Sequence, residues 1–274
     1  MFEKLSLMSV KNFMTVLRIR LFLYYLLEVL SIGLYLYFVL SKKQYNIGIA
    51  MLLIAFTIIV LNQLVMVIIL RQRNNILIEH LELQKFKSLI ETIYSKQLTR
   101  GKIKLKKERI DFYLSKAKVL FYQGNFEESL RILGFLQKND FTGLNSEIWM
   151  LEYYYLLCLN NIFLEKSFNA KKILSEISKI NGGEKIQFQK KRYLQAVGAL
   201  NDIFVLKQSN TFFDIVLNQT KLELVTSTYY SGMNAYFQNE LKKAKAKFQQ
   251  IANENPELFY VREAKKYLEE LKND

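Results

Sequence analysis

The sequence has few of the residues that interrupt helices or cross-link a chain. Its 274 residues include one proline, ten glycines and one cysteine, Cys158. Because proline and glycine disfavour helix interiors, their scarcity predicts an all-α fold. A single cysteine excludes an intramolecular disulfide and any metal site built from several cysteines, and it fits a reducing compartment. The neighbours Leu157 and Leu159 predict a buried thiol without an activating group.

The chain also lacks the motifs on which common enzymatic functions depend. It has no glycine-rich phosphate loop, no G-x-S-x-G sequence and no H-E-x-x-H sequence. His80 is the only histidine, which is too few for a conventional catalytic triad together with a metal centre. We therefore predict that the protein is not an enzyme, and the sequence indicates neither a cofactor nor a metal ion.

Positive charge is concentrated in the N-terminal part of the chain. The whole chain carries 39 basic and 25 acidic residues, a net charge of +14. Residues 1–110 hold 17 of the basic and only 6 of the acidic residues, whereas the remainder is close to balance. Basic residues beside membrane segments account for this distribution, so nucleic acid is not predicted as a partner.

Two long apolar runs predict a transmembrane hairpin at residues 21–70. They cover 21–40 and 47–70, and about 20 apolar residues suffice to cross a bilayer. The first run is too long for a signal-peptide core, no A-x-A cleavage site follows it, and the second run comes at once. We therefore expect a retained two-span anchor preceded by a basic N-terminus, residues 1–20.

The distribution of basic residues predicts the orientation of this hairpin. Only two lysines stand in the short connection, whereas both outer flanks are richer in lysine and arginine. The flanking residues are Lys4, Lys11, Arg18 and Arg20 before the first run and Arg71, Arg73, Lys85 and Lys87 after the second. By the positive-inside rule both termini face the cytoplasm in a multi-pass protein of the cell membrane, with residues 111–274 inside the cell.

Glu28 is the one charged residue within the two apolar runs. A carboxylate at mid-membrane costs several kcal/mol, so it needs a partner or a function. It could serve a proton or ion relay, or pair with a basic residue on a partner's span. We favour a protonated carboxyl that bonds within the hairpin to Asn62, Gln63 or Tyr24, because two helices cannot enclose a transport path.

Residues 71–110 are interpreted as a juxtamembrane helix and a basic linker. Apolar residues at 76, 83, 86, 90 and 93 form one helical stripe, which is expected to pack within the chain or, alternatively, against a second copy in a homo-oligomer. A basic run follows without interleaved aromatic residues, which favours membrane lipids or solvent over nucleic acid. The candidate lipid contacts are Arg100, Lys102, Lys104, Lys106 and Lys107.

Residues 111–274 predict a stack of antiparallel helical hairpins. Short turns divide this part into hairpins at 111–143, 146–180, 187–222 and 225–256, with a last helix at 257–271. The period of about 34 residues is similar to that of the tetratricopeptide repeat. The residues that carry the resemblance are Tyr113, Ala117, Leu120, Gly124, Phe126, Ser129 and Leu133 in the first unit and Gly232, Ala235, Ala244, Phe248 and Pro256 in the last.

This resemblance implies an α-solenoid whose concave groove binds a peptide or an extended protein segment. The aromatic stretch at 149–159 falls on the first helix of the second hairpin, where groove-facing side chains are expected. Candidate partner contacts are Trp149, Tyr153, Tyr154 and Tyr155, although the same stretch could belong largely to the core.

Two functions follow as hypotheses. The first is a membrane-anchored scaffold or adaptor whose cytoplasmic repeat domain binds a peptide or protein partner. The alternative is an accessory or immunity-type subunit of a membrane peptide transporter, in which the transmembrane hairpin makes the specific contacts. A cytoplasmic peptide sensor is a third possibility, but membrane spans stand where such sensors carry a DNA-binding domain.

Cysteine labelling in intact cells tests the orientation. In a Cys158→Ser background, a single cysteine at position 43 should react with a membrane-impermeant maleimide, whereas one at position 273 should react only after the membrane is opened. Both should react equally in detergent. External labelling at position 273 would contradict the cytoplasmic assignment.

Overall fold

The computed structural model describes residues 2–41, 43, 45–99, 103, 105–143, 146–164, 170–215 and 220–271. Within these ranges the chain forms twelve α-helices, short 3-10 and π-helical turns, and no β-strand. It divides into two compact units, Met1–Ile76 and Leu77–Asp274. The all-α prediction is thus confirmed for the described part of the chain.

The first unit consists of two long helices. Helix α1 covers Val10–Leu36 and continues through a π-helical turn, Tyr37–Ser41, and α2 covers Tyr45–Ile78. The stretches Val10–Leu40 and Tyr45–Ile78 are long and apolar enough to cross a membrane. Only 6% of the apolar window in each is buried, unlike the core helix of a soluble protein. Both helices extend past the predicted spans on the side away from their connection.

The second unit contains the other ten helices. They are α3 Leu83–Leu98, α4 Lys106–Tyr122, α5 Phe126–Leu133, α6 Ser146–Phe163, α7 Ala170–Ser178, α8 Glu184–Leu200, α9 Phe212–Ile215, α10 Lys221–Phe237, α11 Leu241–Ile251 and α12 Phe259–Glu270. The pairs α4–α5, α6–α7 and α10–α11 pack as hairpins at the expected places. The third pair differs, because α8 runs into a π-helical turn, Asn201–Val205, and α9 has only four residues.

Helix α3 is part of the second unit, although the sequence assigned it to a juxtamembrane linker. It packs against α4, where the Tyr94 hydroxyl donates to Asp111 Oδ2 at 2.6 Å and the Tyr94 ring meets Phe112 edge-on. Leu83, Phe86 and Ile90 of the apolar stripe are buried. The expected packing within the chain is therefore confirmed. The unexpected feature is a break after α2, where Leu81 adopts a positive φ of 59°.

Two buried side-chain hydrogen bonds connect the first two hairpins. Ser129 of α5 donates through its hydroxyl to the carbonyl of Ala117 on α4, at 2.9 Å. Asn160 of α6 donates through Nδ2 to the same hydroxyl at 3.0 Å. Ser129 and Asn160 are fully buried, and these bonds satisfy the serine hydroxyl and the asparagine Nδ2, while Asn160 Oδ1 has no partner among the described residues. The bonds connect three helices.

An aromatic cluster joins the first hairpin to the last helix. Phe126 stacks on Phe163 with centroids 5.0 Å apart and meets Phe259 of α12 edge-on at 5.2 Å. The hydroxyls of the buried Tyr230 and Tyr260 lie 2.6 Å apart. In an open solenoid a unit contacts only its neighbours, so the contact between α5 and α12 is an addition to that pattern.

Two glycines permit close approaches that a side chain would obstruct. Gly124 ends the α4 turn with a φ of +82°, and a Cβ there would lie 2.7 Å from the Phe259 ring. In α10, a Cβ on Gly232 would lie 2.6 Å from Phe248 Cε1. Phe248 of α11 also stacks on Tyr267 of α12, so it contacts both its own hairpin and the following helix.

Alanine substitutions at two helical glycines should therefore have opposite effects. Gly232→Ala should lower the free energy of unfolding of the second unit by ~1–3 kcal/mol, because the Phe248 ring has to move. At Gly198 of α8 an added Cβ meets nothing within 4 Å. Gly198→Ala should therefore leave stability unchanged or raise it by up to ~1 kcal/mol.

Urea unfolding of the full chain in detergent measures both values. Trp149 is the only tryptophan, so its fluorescence reports on the second unit. Equal effects of the two alanines would contradict the assigned packing of Gly232 against Phe248.

Candidate functional site

The four aromatic residues predicted as partner contacts are all partly exposed, but they point to different neighbours. Tyr153 packs against Phe141, and the Tyr154 hydroxyl lies 3.5 Å from Glu176 Oε2 on α7. Tyr155 stacks face to face on Tyr193 of α8, with centroids 4.0 Å apart and an interplanar angle of 2°. Trp149 lies one helical turn before Tyr153 on α6. Tyr155 therefore faces a different neighbour from Tyr153 and Tyr154, whose rings lie 5.2 Å apart.

Tyr155 belongs instead to a surface made by the first helices of successive hairpins. Lys118 of α4 pairs with Glu152 of α6 at 2.6 Å, and Arg192 of α8 pairs with Glu223 of α10 at 3.0 Å. The Tyr155–Tyr193 stack joins α6 to α8 between these pairs. We call this surface the first-helix face, and it comprises Lys118, Tyr122, Glu152, Tyr155, Arg192, Tyr193 and Glu223.

Helical spacing explains why these side chains share one face. Lys118 and Tyr122 are four residues apart on α4, and Glu152 and Tyr155 are three apart on α6, so each pair lies on one side of its helix. None of the seven residues is fully buried or fully exposed. The face is thus accessible while each side chain is held by a neighbour.

The tyrosines of this face remain neutral over a wide pH range. Burial is the main cause that raises the pKa of Tyr122 well above its usual value of 10, with the charges of Glu152 and Glu223 adding to it. Burial also raises the pKa of Tyr155 and of Tyr193. The two cations of the face are paired with carboxylates, so the surface offers aromatic rings and neutral hydroxyls with no excess charge.

The described ranges contain no candidate metal centre, and their single cysteine is not activated. No cluster of three or more His, Cys, Asp or Glu residues there could hold a metal ion. Cys158 is fully buried, as predicted, and burial raises the pKa of its thiol from 9.0 to about 12. The thiol is therefore protonated near neutral pH and is a poor nucleophile.

In the first unit, the predicted bond between Glu28 and Asn62 is wrong. Asn62 instead accepts from Arg20, whose Nη2 lies 2.5 Å from its Oδ1. Because α1 and α2 run antiparallel, moving from Arg20 to Glu28 leads towards the start of α2 and away from Asn62. Gln63 is exposed, and Glu28 Oε1 is buried without a hydrogen-bond partner among the described residues.

The predicted lipid-contacting basic run is only partly within the described residues. Arg100, Lys102 and Lys104 lie outside them. Lys106 is exposed but donates to the carbonyl of Asn139 at 2.7 Å, and Lys107 is exposed. Contact between this run and a membrane surface stays a prediction.

No protein-family model, curated protein or solved structure matches this chain. Any functional assignment therefore depends on the geometry of the chain's own surfaces.

Sequence reasoning found only Tyr155 of the first-helix face. The other six members were missed because no local motif marks them. A weak signal was present, since Tyr122, Tyr155 and Tyr193 recur at intervals close to the repeat length, each on the first helix of a hairpin. The charged members of the face, Lys118, Glu152, Arg192 and Glu223, recur at similar intervals and are part of the same signal.

The raised pKa values predict a loss of stability in alkali. As pH rises above about 10, tyrosines ionise in the unfolded chain while Tyr122, Tyr155 and Tyr193 keep their protons in the folded one. The free energy of unfolding therefore keeps its whole value below pH 10. Above pH 10 it falls by up to ~1.4 kcal/mol per pH unit for each such group.

Urea unfolding at several pH values, with tyrosinate absorbance followed in parallel, measures this loss. The double variant Tyr155→Phe/Tyr193→Phe should lose stability less steeply than the native chain. Ionisation of the full set of tyrosines near pH 10 in a protein that is still folded would be inconsistent with the assigned burial.

Proposed function

We propose that this protein is a membrane-anchored scaffold or adaptor whose helical-hairpin domain binds a peptide or protein partner. The observation that carries the proposal is the first-helix face: a continuous, partly exposed set of tyrosines and paired charges contributed by α4, α6, α8 and α10. The proposed site is this face and not the predicted aromatic set around Trp149.

The chemistry of the face suits an extended peptide. Stacked tyrosines offer a large rigid contact area at little cost in side-chain entropy. Their neutral hydroxyls can donate to and accept from a peptide backbone, and the paired charges at the edges can exchange partners with charged side chains of the ligand. Such aromatic positions often dominate binding energy at protein interfaces.

The repeat architecture is part of the proposal. A tetratricopeptide-like α-solenoid is supported by the hairpin pairs, by the contact of Gly232 with Phe248, and by the packing of Phe126 and Phe248 onto the following units. The short α9 and the contact of α12 with the first hairpin are departures from a regular array. They would restrict the groove to the side formed by the first helices.

The two long apolar helices provide the membrane anchor in this proposal. Their large exposed side chains, among them Phe22 at 67% and Leu53 at 63%, would contact lipid tails. We place both termini in the cytoplasm of a multi-pass cell-membrane protein. Tethering raises the effective concentration of the binding domain at the membrane, so a groove of modest affinity is sufficient.

One observation favours a second candidate function. Glu28 Oε1 is buried without a hydrogen-bond partner in the described residues, and an unsatisfied carboxyl oxygen in the apolar part of a span is costly. An accessory subunit of a membrane peptide transporter could use the hairpin, with Glu28, for contact with another membrane protein.

Crosslinking in intact cells, followed by capture and mass spectrometry, tests the first function against the second. Tyr155→Leu/Tyr193→Leu removes the partly exposed stack from the first-helix face. Tyr113→Leu/Phe135→Leu removes a stacked aromatic pair, with centroids 5.3 Å apart, from the opposite side of α4 and serves as the matched control. The proposed function predicts a partner whose yield falls about tenfold or more with the first pair and is retained with the second.

The variant Glu28→Gln completes the comparison. If the helical domain binds the partner, Glu28→Gln should leave the yield of the crosslinked partner nearly unchanged. Loss of the partner with Glu28→Gln, together with full retention in Tyr155→Leu/Tyr193→Leu, would contradict the scaffold function and support the transporter-subunit function.

A further inference from the structure

The two helices of the first unit form an apolar groove that contains one cation. The groove has a volume of about 470 Å³, and valine, leucine and isoleucine side chains from both helices line most of it. Arg20, Tyr24 and Asn62 are its polar residues. A volume of this size is typical of sites that hold a small molecule or part of a larger one.

Arg20 has hydrogen-bond partners in the groove but no counter-ion among the residues that the structure describes. Its Nη2 donates to the carbonyl oxygen of Asn62 at 3.2 Å and to the side-chain oxygen at 2.5 Å, and Nη1 lies 3.2 Å from Met66 Sδ. Its Nε is buried and has no hydrogen-bond partner among the described residues. All of its contacts are neutral, so the positive charge of the guanidinium is uncompensated in the described part of the chain.

The position of Arg20 makes this charge unusual. It lies beside Asn62 and Met66, which belong to the charge-free apolar run at 47–70. Arg20 directly precedes the first apolar run, which in a membrane places it near the lipid phosphates, and a negative group there would offset the cost of its partial burial. Glu28 does not fill this role, since eight residues of helix separate it from Arg20 by about 12 Å along the axis.

We propose that this groove binds an anionic phospholipid, with its phosphate on Arg20 and an acyl chain between the two helices. The Nη hydrogens of the guanidinium that Asn62 and Met66 do not use would donate to phosphate oxygens, a charge-assisted pairing for which arginine is well suited. The apolar walls, including Leu27 and Leu61, would contact the chain. This inference rests on the membrane insertion that forms part of the proposed function.

Photocrosslinking with lipids tests the assignment. The full-length protein is reconstituted in phosphatidylcholine vesicles that contain a trace of phosphatidylglycerol with a photoreactive acyl chain, and the labelled residues are mapped by mass spectrometry. Labelling should concentrate on the groove, and unlabelled phosphatidylglycerol should compete better than added phosphatidylcholine. Soluble glycerophosphate should not compete, because it lacks the acyl chain.

Arg20→Gln should reduce groove labelling about fivefold, as expected for the loss of one cation that contacts an anionic lipid. Arg18→Gln is the matched control, because Arg18 is exposed, lies outside the groove and makes the same change in charge. Its labelling should equal that of the native chain. If both variants lowered labelling equally, the preference for anionic lipid would come from surface charge in general, and the proposed site would be wrong.

A second pair of variants keeps the test decisive if Arg20→Gln fails to fold. Leu61→Trp fills the groove while keeping Arg20, and should also lower labelling, whereas Leu53→Trp changes an exposed leucine outside the groove and should not. Unchanged labelling in Leu61→Trp would overturn the proposal, because the filled groove could no longer hold the acyl chain.

Carbonate extraction separates this inference from the proposed function. If the native protein is released from membranes by alkaline carbonate, the anchor itself is wrong. If it stays in the membrane but shows no preference for the anionic lipid, only the lipid site is wrong.

Discussion

The aromatic packing between the first hairpin and the last helix is the interaction on which the rest of the second unit depends. Phe126, Phe163 and Phe259 meet ring to ring, and the Tyr230–Tyr260 hydroxyl pair lies within the same buried region. Each such aromatic pair contributes about 0.5–1.5 kcal/mol beyond its buried area. One of these contacts, Phe126 with Phe259, joins residues more than a hundred positions apart in the chain. They hold the last helix against the first hairpin and so restrict how the helices between them can pack.

The first-helix face follows from this constraint. The cluster includes Phe163 of α6 and Tyr230 of α10, and Tyr122 of the face lies 6.4 Å from Tyr260, so the first helices that carry the face are themselves anchored in this buried region. The same side chains are positioned by cross-helix pairs such as Lys118–Glu152 and by the Tyr155–Tyr193 stack. A binding surface that is organised before the partner arrives loses less conformational entropy on binding. This is the physical link between the fold and the proposed adaptor function.

The two long helices of the first unit illustrate how much a local pattern can and cannot predict. Their length and apolar character were evident from composition alone, because the requirement for a membrane-crossing helix depends on consecutive residues. The pairing of Arg20 with Asn62 was not evident. It depends on the register of two antiparallel helices, and a small change in register would have brought different polar groups together. The same limitation explains why Glu28 was expected to reach Asn62 and does not.

The all-α class and the two membrane-length helices could be predicted from the sequence alone, because helix propensity and apolar periodicity act over short distances, whereas many helix ends lie several residues from the predicted ones. The sequence also determined that Cys158 is buried, through its apolar neighbours. Tertiary structure decided that α3 belongs to the second unit, that α12 packs on the first hairpin, and that Tyr155 faces Tyr193 while Tyr153 and Tyr154 face elsewhere. Each of these outcomes depends on contacts between residues far apart in the chain, whose geometry no local pattern specifies.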